Sequence, residues 1–242
     1  MDKRIIIIGA TSGIGRKVAE GYIARGWKVG VAGRRTEALD ELRKQAPEQV
    51  CTEMIDVTHP DAPSKLQSLI KKLGGMDLFL LSSGIGKQNH TLEPEAELAT
   101  AATNVEGFIR MTTAIYHYFE KQGHGHLAVI SSIAGTKGLG AAAAYSATKR
   151  FQNTYLDCMD QLARMNKLNI TFTDIRPGFV ATPLLKDNRY PLLMDVADVA
   201  EEIIQALDKK KRIAIIDWRY RILVFFWQLI PRWIWVRLPV KN

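Results

Sequence analysis

Short apolar runs alternate along the chain with longer segments in which apolar residues recur at helical spacing. The runs RIIIIG (4–9), KVGVAG (28–33), VCTEMID (50–56), DLFLLS (77–82), HLAVISS (126–132), NITFTDI (169–175) and RIAII (212–216) predict seven strands. Residues 14–26, 36–46, 62–73, 95–121, 143–166 and 195–208 predict the helices between them. Such alternation specifies an α/β fold, a doubly wound parallel sheet with helices on both faces. No period of 20–50 residues repeats, and no low-complexity linker interrupts the pattern. The organisation expected is a single domain, with residues 1–208 as its body. Residues 209–242 add the last strand and an amphipathic tail.

At 242 residues, 47% of them hydrophobic, the chain can build one large core. Its two cysteines, Cys51 and Cys158, are too few for a disulfide framework or a zinc site, and read as buried small residues of a reducing compartment. Ile5–Ile8 is too short for the apolar core of an export signal, so a cytoplasmic protein is expected. Net charge is +8, yet the segment 209–242 alone holds nine basic residues and one acid, Asp217. The remaining 208 residues are therefore neutral. A neutral body has no basic surplus to line a groove, which excludes generic nucleic-acid binding.

Ligands of doubly wound sheets bind beyond the carboxyl ends of the strands, and the unusual residues cluster there. The first strand runs into GATSGIG, whose Gly9, Thr11, Ser12, Gly13, Ile14 and Gly15 lead into a helix. Gly9 allows a tight turn, Gly13 lets backbone approach a pyrophosphate, and Gly15 lets helix and strand pack closely. The helix N-terminus supplies N–H groups and partial positive charge to the phosphates. After the second strand, Gly33 stands where NAD enzymes usually carry an acid, and Arg34 and Arg35 follow. Guanidinium forks suit a 2′-phosphate, so NADP(H) is expected rather than NAD. After the third strand, Asp56 and Val57 stand where an adenine ring would lie, the carboxylate to accept from its amine and the valine to pack on it.

In YSATK, Tyr145 and Lys149 share one helix face at i, i+4. A nearby ammonium is expected to lower the phenol's pKa from its usual value of about 10 and bring it towards general acid–base duty. The chain here resembles the short-chain dehydrogenases/reductases. GATSGIG, DVT (56–58), NVEG (104–107), SSIAG (131–135), YSATK and RPGFVAT (176–182) match that family's motifs in order, over about residues 3–208. The resemblance implies a Rossmann-like catalytic domain in which Tyr145 protonates a carbonyl oxygen or takes the proton back. Ser132 would hydrogen-bond that oxygen, Lys149 would hold the nicotinamide ribose, and Asn104 would support a water-linked proton path. Pro177 and Gly178 would turn the chain on the nicotinamide side, with Val180 and Thr182 holding the carboxamide. Two departures stand out: Ile8 replaces a common threonine, and the family's NNAG reads LSSG, which leaves Ser83 and Gly84 on the cofactor side without the usual asparagine.

His124 and His126 lack a third ligand at metal spacing, so they read as a glycine-rich loop before a strand, and no metal is expected. The stretch PLLKDNRYPLLM (183–194) would form an apolar lid from Leu184, Leu185, Tyr190, Leu192, Leu193 and Met194. Ile222–Ile230 is far shorter than the ~20 residues that span a bilayer. Drawn as one helix, Arg221, Gln228 and Arg232 form a narrow stripe on an otherwise apolar, tryptophan-edged segment. Residues 218–238 thus suit peripheral contact with a membrane's inner face. The alternatives are an oligomer contact, in a homodimer or homotetramer, or a wall of the substrate pocket. The tail also resembles the ends of reductases acting on polyprenyl-linked sugars. The function expected is NADPH-dependent reduction of an apolar or lipid-linked carbonyl, or oxidation of the matching alcohol. A soluble reductase of small ketones, whose tail builds the oligomer, and a non-catalytic NADP(H)-binding sensor or scaffold are the competing readings.

Overall fold

The four consecutive isoleucines are divided between two cores. In the computed structural model, which describes residues 3–185 and 190–240, they lie in strand β1 (Arg4–Ile8) and none has accessible surface. Ile5 and Ile7 point to one face of the sheet, Ile6 and Ile8 to the other, as the two-residue period of a strand requires. A strand covered on both faces needs no polar positions, so its sequence reads as an unbroken apolar run.

Six further strands flank β1: β2 (Lys28–Gly33), β3 (Val50–Met54), β4 (Leu78–Leu81), β5 (His124–Ile130), β6 (Asn169–Arg176) and β7 (Ile213–Ile215). All pairs are parallel, in the order β3-β2-β1-β4-β5-β6-β7. The helices are α1 (Gly13–Ala24), α2 (Thr36–Gln45), α3 (Ala62–Leu73), α4 (Pro94–Ala101), α5 (Phe108–Gln122), α6 (Ala143–Met165), α7 (Val196–Asp208), α8 (Trp218–Leu229) and α9 (Arg232–Trp235). Val18 of α1, Leu42 of α2, Ile203 of α7 and Tyr220 of α8 cover one face with Ile5 and Ile7. Leu69 of α3, Ile115 of α5 and Leu156 of α6 cover the other with Ile6 and Ile8. The expected seven-stranded, doubly wound sheet is present. Strand order reverses between β1 and β4, which opens a crevice at their carboxyl ends.

Four local expectations need correction. The helix expected over 95–121 is α4 and α5 joined by a π-helical turn, Ala102–Gly107, a form that frequently marks functional sites. His124–His126 opens β5 instead of preceding it. The buried His126 ring bonds Thr173 on β6 at 2.8 Å, and burial pushes its pKa down to about 4, with Lys210 adding to the effect. Cys158 is exposed on α6 and Cys51 is only half-buried, so neither is a core residue. The tail is two helices, because the residue before a proline is driven out of helical geometry: Ile230 is extended (φ −67°, ψ 121°) before Pro231. Arg232 therefore does not continue the stripe of Arg221 and Gln228.

Candidate active site

The turn after β1 is shaped by lack of space. Gly9 has φ +91°, and a Cβ there would stand 2.6 Å from the Ser83 nitrogen. A Cβ on Gly15 would stand 2.3 Å from the Gly9 carbonyl oxygen, so α1 packs on the turn as closely as backbone allows. Helix α1 starts at Gly13 with no side-chain cap, leaving its first N–H groups directed to the crevice. Ile14 packs against the core below. A Cβ on Gly13 would lie 3.2 Å from the Thr182 methyl, which brings the loop after β6 against the turn after β1.

At the neighbouring strand end, Gly33 faces Thr11, whose methyl would be 2.6 Å from a Cβ. No acid stands at this position. Arg35 folds over the turn and donates to the Thr11 and Ser12 hydroxyls, each at 2.7 Å. Arg34 lines a surface cleft with Asp56, His59 and Lys65. Burial opposes ionisation of Asp56, but hydrogen bonds from the Thr58 N–H and hydroxyl, with the Arg34 charge, hold its carboxyl below the ordinary value. Val57 is buried beneath Gly107 of the π-helical turn, and Arg110 donates to its carbonyl at 2.7 Å.

Across the crevice, the structure brings together Asn104, Ser132, Tyr145 and Lys149. Ser132 accepts from the Ala134 N–H at 3.1 Å, its hydroxyl donates to the Pro177 carbonyl at 3.4 Å, and it stands beside the Tyr145 phenol. The Tyr145 ring lies against Gly86, where a Cβ would approach to 2.3 Å. Lys149 is buried beside Gly84, and its Nζ donates to the Ile130 carbonyl at 3.0 Å and to Gln152 at 3.1 Å. The fully buried Asn104 accepts from the Ile85 N–H at 2.9 Å and donates to the Ile85 carbonyl at 2.7 Å. Its side chain thus clamps the loop that carries Gly84 and Gly86.

The expected effect of Lys149 on Tyr145 is not what this geometry gives. The ammonium stands 5.7 Å from the ring centroid, turned towards the Ile130 carbonyl and Gln152. Burial raises the Tyr145 pKa above its ordinary value, and the Ser132 hydrogen bond works against that rise. Burial also pushes Lys149 down to about 8, and the Asp174 charge opposes this fall. Desolvation disfavours whichever form is charged, so it drives the phenol up and the ammonium down, and the two pKa values move apart.

Several residues here carry no motif signal. Gln152 bridges Lys149 to the Asn104 carbonyl, to which its Nε2 donates at 2.9 Å. Asp174 on β6 is fully buried, and Asn153 (2.8 Å), Arg176 (2.6 Å) and the Ser131 hydroxyl all donate to it. Gln152 and Asn153 follow Lys149 by three and four positions, on its face of α6. Two amides on a core-facing stripe are the signal that could have found them, since buried polar groups need partners.

Both rims of the crevice are tied to the C-terminal helices. The Tyr220 hydroxyl accepts from the Phe179 N–H at 3.0 Å and lies 3.1 Å from the Pro191 and Leu192 carbonyls. Its ring covers Gly178, where a Cβ would approach to 2.1 Å. The Trp227 indole donates to Thr136 (2.9 Å), the Trp235 indole to the Gly138 carbonyl (2.7 Å), and Lys137 to the Ile230 carbonyl (2.6 Å). Of the expected lid, 186–189 lie outside the described residues, and Tyr190 stacks on Phe179 at 4.8 Å. Met194 does not line the rim. It is buried in the core and its backbone pairs with Val180.

A doubly wound sheet with a glycine turn after β1 and a Ser–Tyr–Lys cluster after β5 defines a class of oxidoreductase. The chain belongs to the short chain dehydrogenase family, whose model matches residues 3–191. An uncharacterized oxidoreductase of Myxococcus xanthus is 34% identical over 204 residues, covering 81% of this chain and 80% of that protein. The fold is similar to that of a short chain dehydrogenase from Burkholderia cenocepacia in complex with NADP. Its TM-score is 0.84 at 19% identity, over 99% of this chain and 98% of that one. It is also similar to a 3-ketoacyl-(acyl-carrier-protein) reductase from Brucella melitensis complexed with NADH, with a TM-score of 0.79 at 21% identity, over 89% and 96% of the two chains.

Proposed function

We propose that this oxidoreductase reduces an apolar carbonyl compound with NADPH, or oxidises the matching secondary alcohol with NADP+. The observation that carries the reading is the clustering of Ser132, Tyr145 and the buried Lys149 across the crevice from the glycine turn, with Asn104 clamping the loop between them. The tight turn at Gly9–Gly15, with glycine at 9, 13 and 15, and the uncapped start of α1 suit a pyrophosphate. When bound, the nicotinamide supplies the hydride. Ser132 orients the carbonyl oxygen by donating to it, and Tyr145 delivers the proton that this oxygen gains. Lys149 is the cation at hand for the ribose hydroxyls, held in line by Gln152 and the Ile130 carbonyl. Pro177, Gly178, Val180 and Thr182 form the facing wall.

The choice of NADPH rests on this chain's own residues, because its structural neighbours include complexes with NADP and with NADH. Gly33 carries no acid to hold a 2′-hydroxyl, and Arg34 and Arg35 stand beside the place a 2′-phosphate would take. The apolar character of the substrate is supported by Phe179, Tyr190 and the exposed Leu184 and Leu192 at the rim.

The deciding experiment follows NADPH oxidation with a panel of ketones. Tyr145→Phe is expected to lower kcat by about 10²–10⁴-fold, the usual worth of a positioned acid, with NADPH affinity unchanged. Tight NADPH binding without turnover on any carbonyl would overturn the reading in favour of a cofactor sensor.

A further inference from the structure

Helix α8 is apolar on the side it turns to water. Tyr220 and Val224 are buried and Trp227 packs against the same core, so this stripe faces the protein. Trp218, Ile222, Phe225, Phe226 and Leu229 follow at i, i+4, i+7, i+8 and i+11, which is a second stripe on one helical face. All five are exposed: Trp218 and Leu229 by 64%, Phe225 and Phe226 by 61%, and Ile222 by 49%. Exposed contiguous apolar surface of this kind marks a place of contact. Trp233 of α9 (65% exposed) and Val236 (67%) add further apolar surface at the end of the tail.

The charges around this surface select its partner. Asp217, the only acid beyond residue 208, is spent on Arg219 at 2.6 Å. Arg221 reaches Glu202 at 3.5 Å, whereas Arg232 and Arg237 have no carboxylate partner among the described residues. In a two-fold contact between copies, the same patch faces itself, so these cations would meet their own images with no acid between them. An anionic bilayer offers opposite charge at the rim and hydrocarbon at the centre. No described helix is long and apolar enough to cross a membrane, so the contact lies in the interface plane.

We propose that α8 and α9 form a docking face for an anionic lipid surface, with Trp218, Phe225, Phe226 and Leu229 entering the acyl boundary. The face is continuous with the crevice: Tyr220 holds the 178–192 rim, while Trp227 and Trp235 hold Thr136 and Gly138 between Ser132 and Tyr145. Docking therefore sets the mouth of the site at the bilayer, and an apolar carbonyl reaches Tyr145 without crossing bulk water. Docking stands independently of the reductase reading; delivery of the carbonyl rests on it.

The test floats the full-length protein with vesicles of mixed phosphatidylglycerol and phosphatidylcholine, and with phosphatidylcholine alone. Binding to the anionic vesicles is expected to be at least about tenfold stronger, and to weaken with added salt. Phe225→Ser/Phe226→Ser and Arg232→Glu/Arg237→Glu should each reduce it at least about tenfold. Both pairs should turn over a small water-soluble ketone at the wild-type rate, but reduce a vesicle-embedded apolar ketone more slowly. Failure of the wild type to float, or equal flotation of the variants, overturns the proposal. So does a dimer in light scattering that Phe225→Ser/Phe226→Ser converts to monomer, because the face then belongs to a second copy. Flotation without turnover of either ketone upholds docking and overturns delivery together with the reductase reading.

Discussion

Because Lys149 donates to the Ile130 carbonyl and to Gln152, its ammonium is held behind the Tyr145 ring and not at the phenol oxygen. A spacing of four places the two side chains on one face but says nothing of where the longer one points. That direction is set by β5 and by Gln152, residues distant from or outside the motif. The burial of this lysine has a measurable consequence. In the folded, cofactor-free protein its pKa falls from 10.5 to about 8, so between those values the unfolded chain binds more protons. Stability contributed at this site is lowest below pH 8 and recovers as pH rises towards 10.5, by on the order of 3 kcal/mol in full. Lys149→Met carries no such charge, so its stability relative to wild type should be greatest near pH 7 and decline by pH 9.5. Urea unfolding of both proteins at the two pH values measures this, and a constant difference would contradict it.

At the scale of elements, the alternation of apolar runs and helical periodicity was sufficient for the sheet. All seven strands and their doubly wound arrangement were legible, because each run is short, apolar and bounded by turn residues. The break in the 95–121 helix was not, since a π-helical turn adds a residue without changing the apolar pattern around it. Nor was the hold of α8 and α9 on the crevice, for it runs through a tyrosine hydroxyl and two indole N–H groups that read in sequence as bulk apolar surface. Tyr220 makes that hold testable. Its hydroxyl serves the Phe179 N–H and the Pro191 and Leu192 carbonyls, groups that Phe cannot serve. Tyr220→Phe should cost about 1–3 kcal/mol of stability, the usual charge for stranding a buried polar group. It should also speed amide hydrogen exchange over 178–185 and 190–194, and raise KM more than it lowers kcat. Unchanged exchange in that segment would separate α8 from the rim.

For the molecule as a whole, charge and structure divide the chain at different places. Net charge changes near residue 209, yet β7 (Ile213–Ile215) pairs with β6 and belongs to the sheet, so a cut at 208 removes a strand. A cut after Asp217 leaves the sheet intact and removes α8 and α9. Even that is no neutral excision. It takes away the buried Tyr220 ring and the bonds to Thr136 and Gly138, while the exposed stripe of the same helix contributes little to folding. Loss of a buried aromatic typically costs about 3–5 kcal/mol, whereas surface changes stay within about 0.5 kcal/mol. Residues 1–217 alone should therefore melt well below the full chain and lose at least about tenfold in kcat/KM on a water-soluble ketone. Phe225→Ser/Phe226→Ser, which alters only the outer stripe, should match the full chain in both. Thermal melts and initial rates on the three proteins compare the two faces directly. If the 1–217 protein keeps its melting temperature and its rate, the helices are an appendage and the crevice is complete without them. If it loses both while the double variant loses neither, the inner stripe builds the active site and the outer stripe is free to meet a surface.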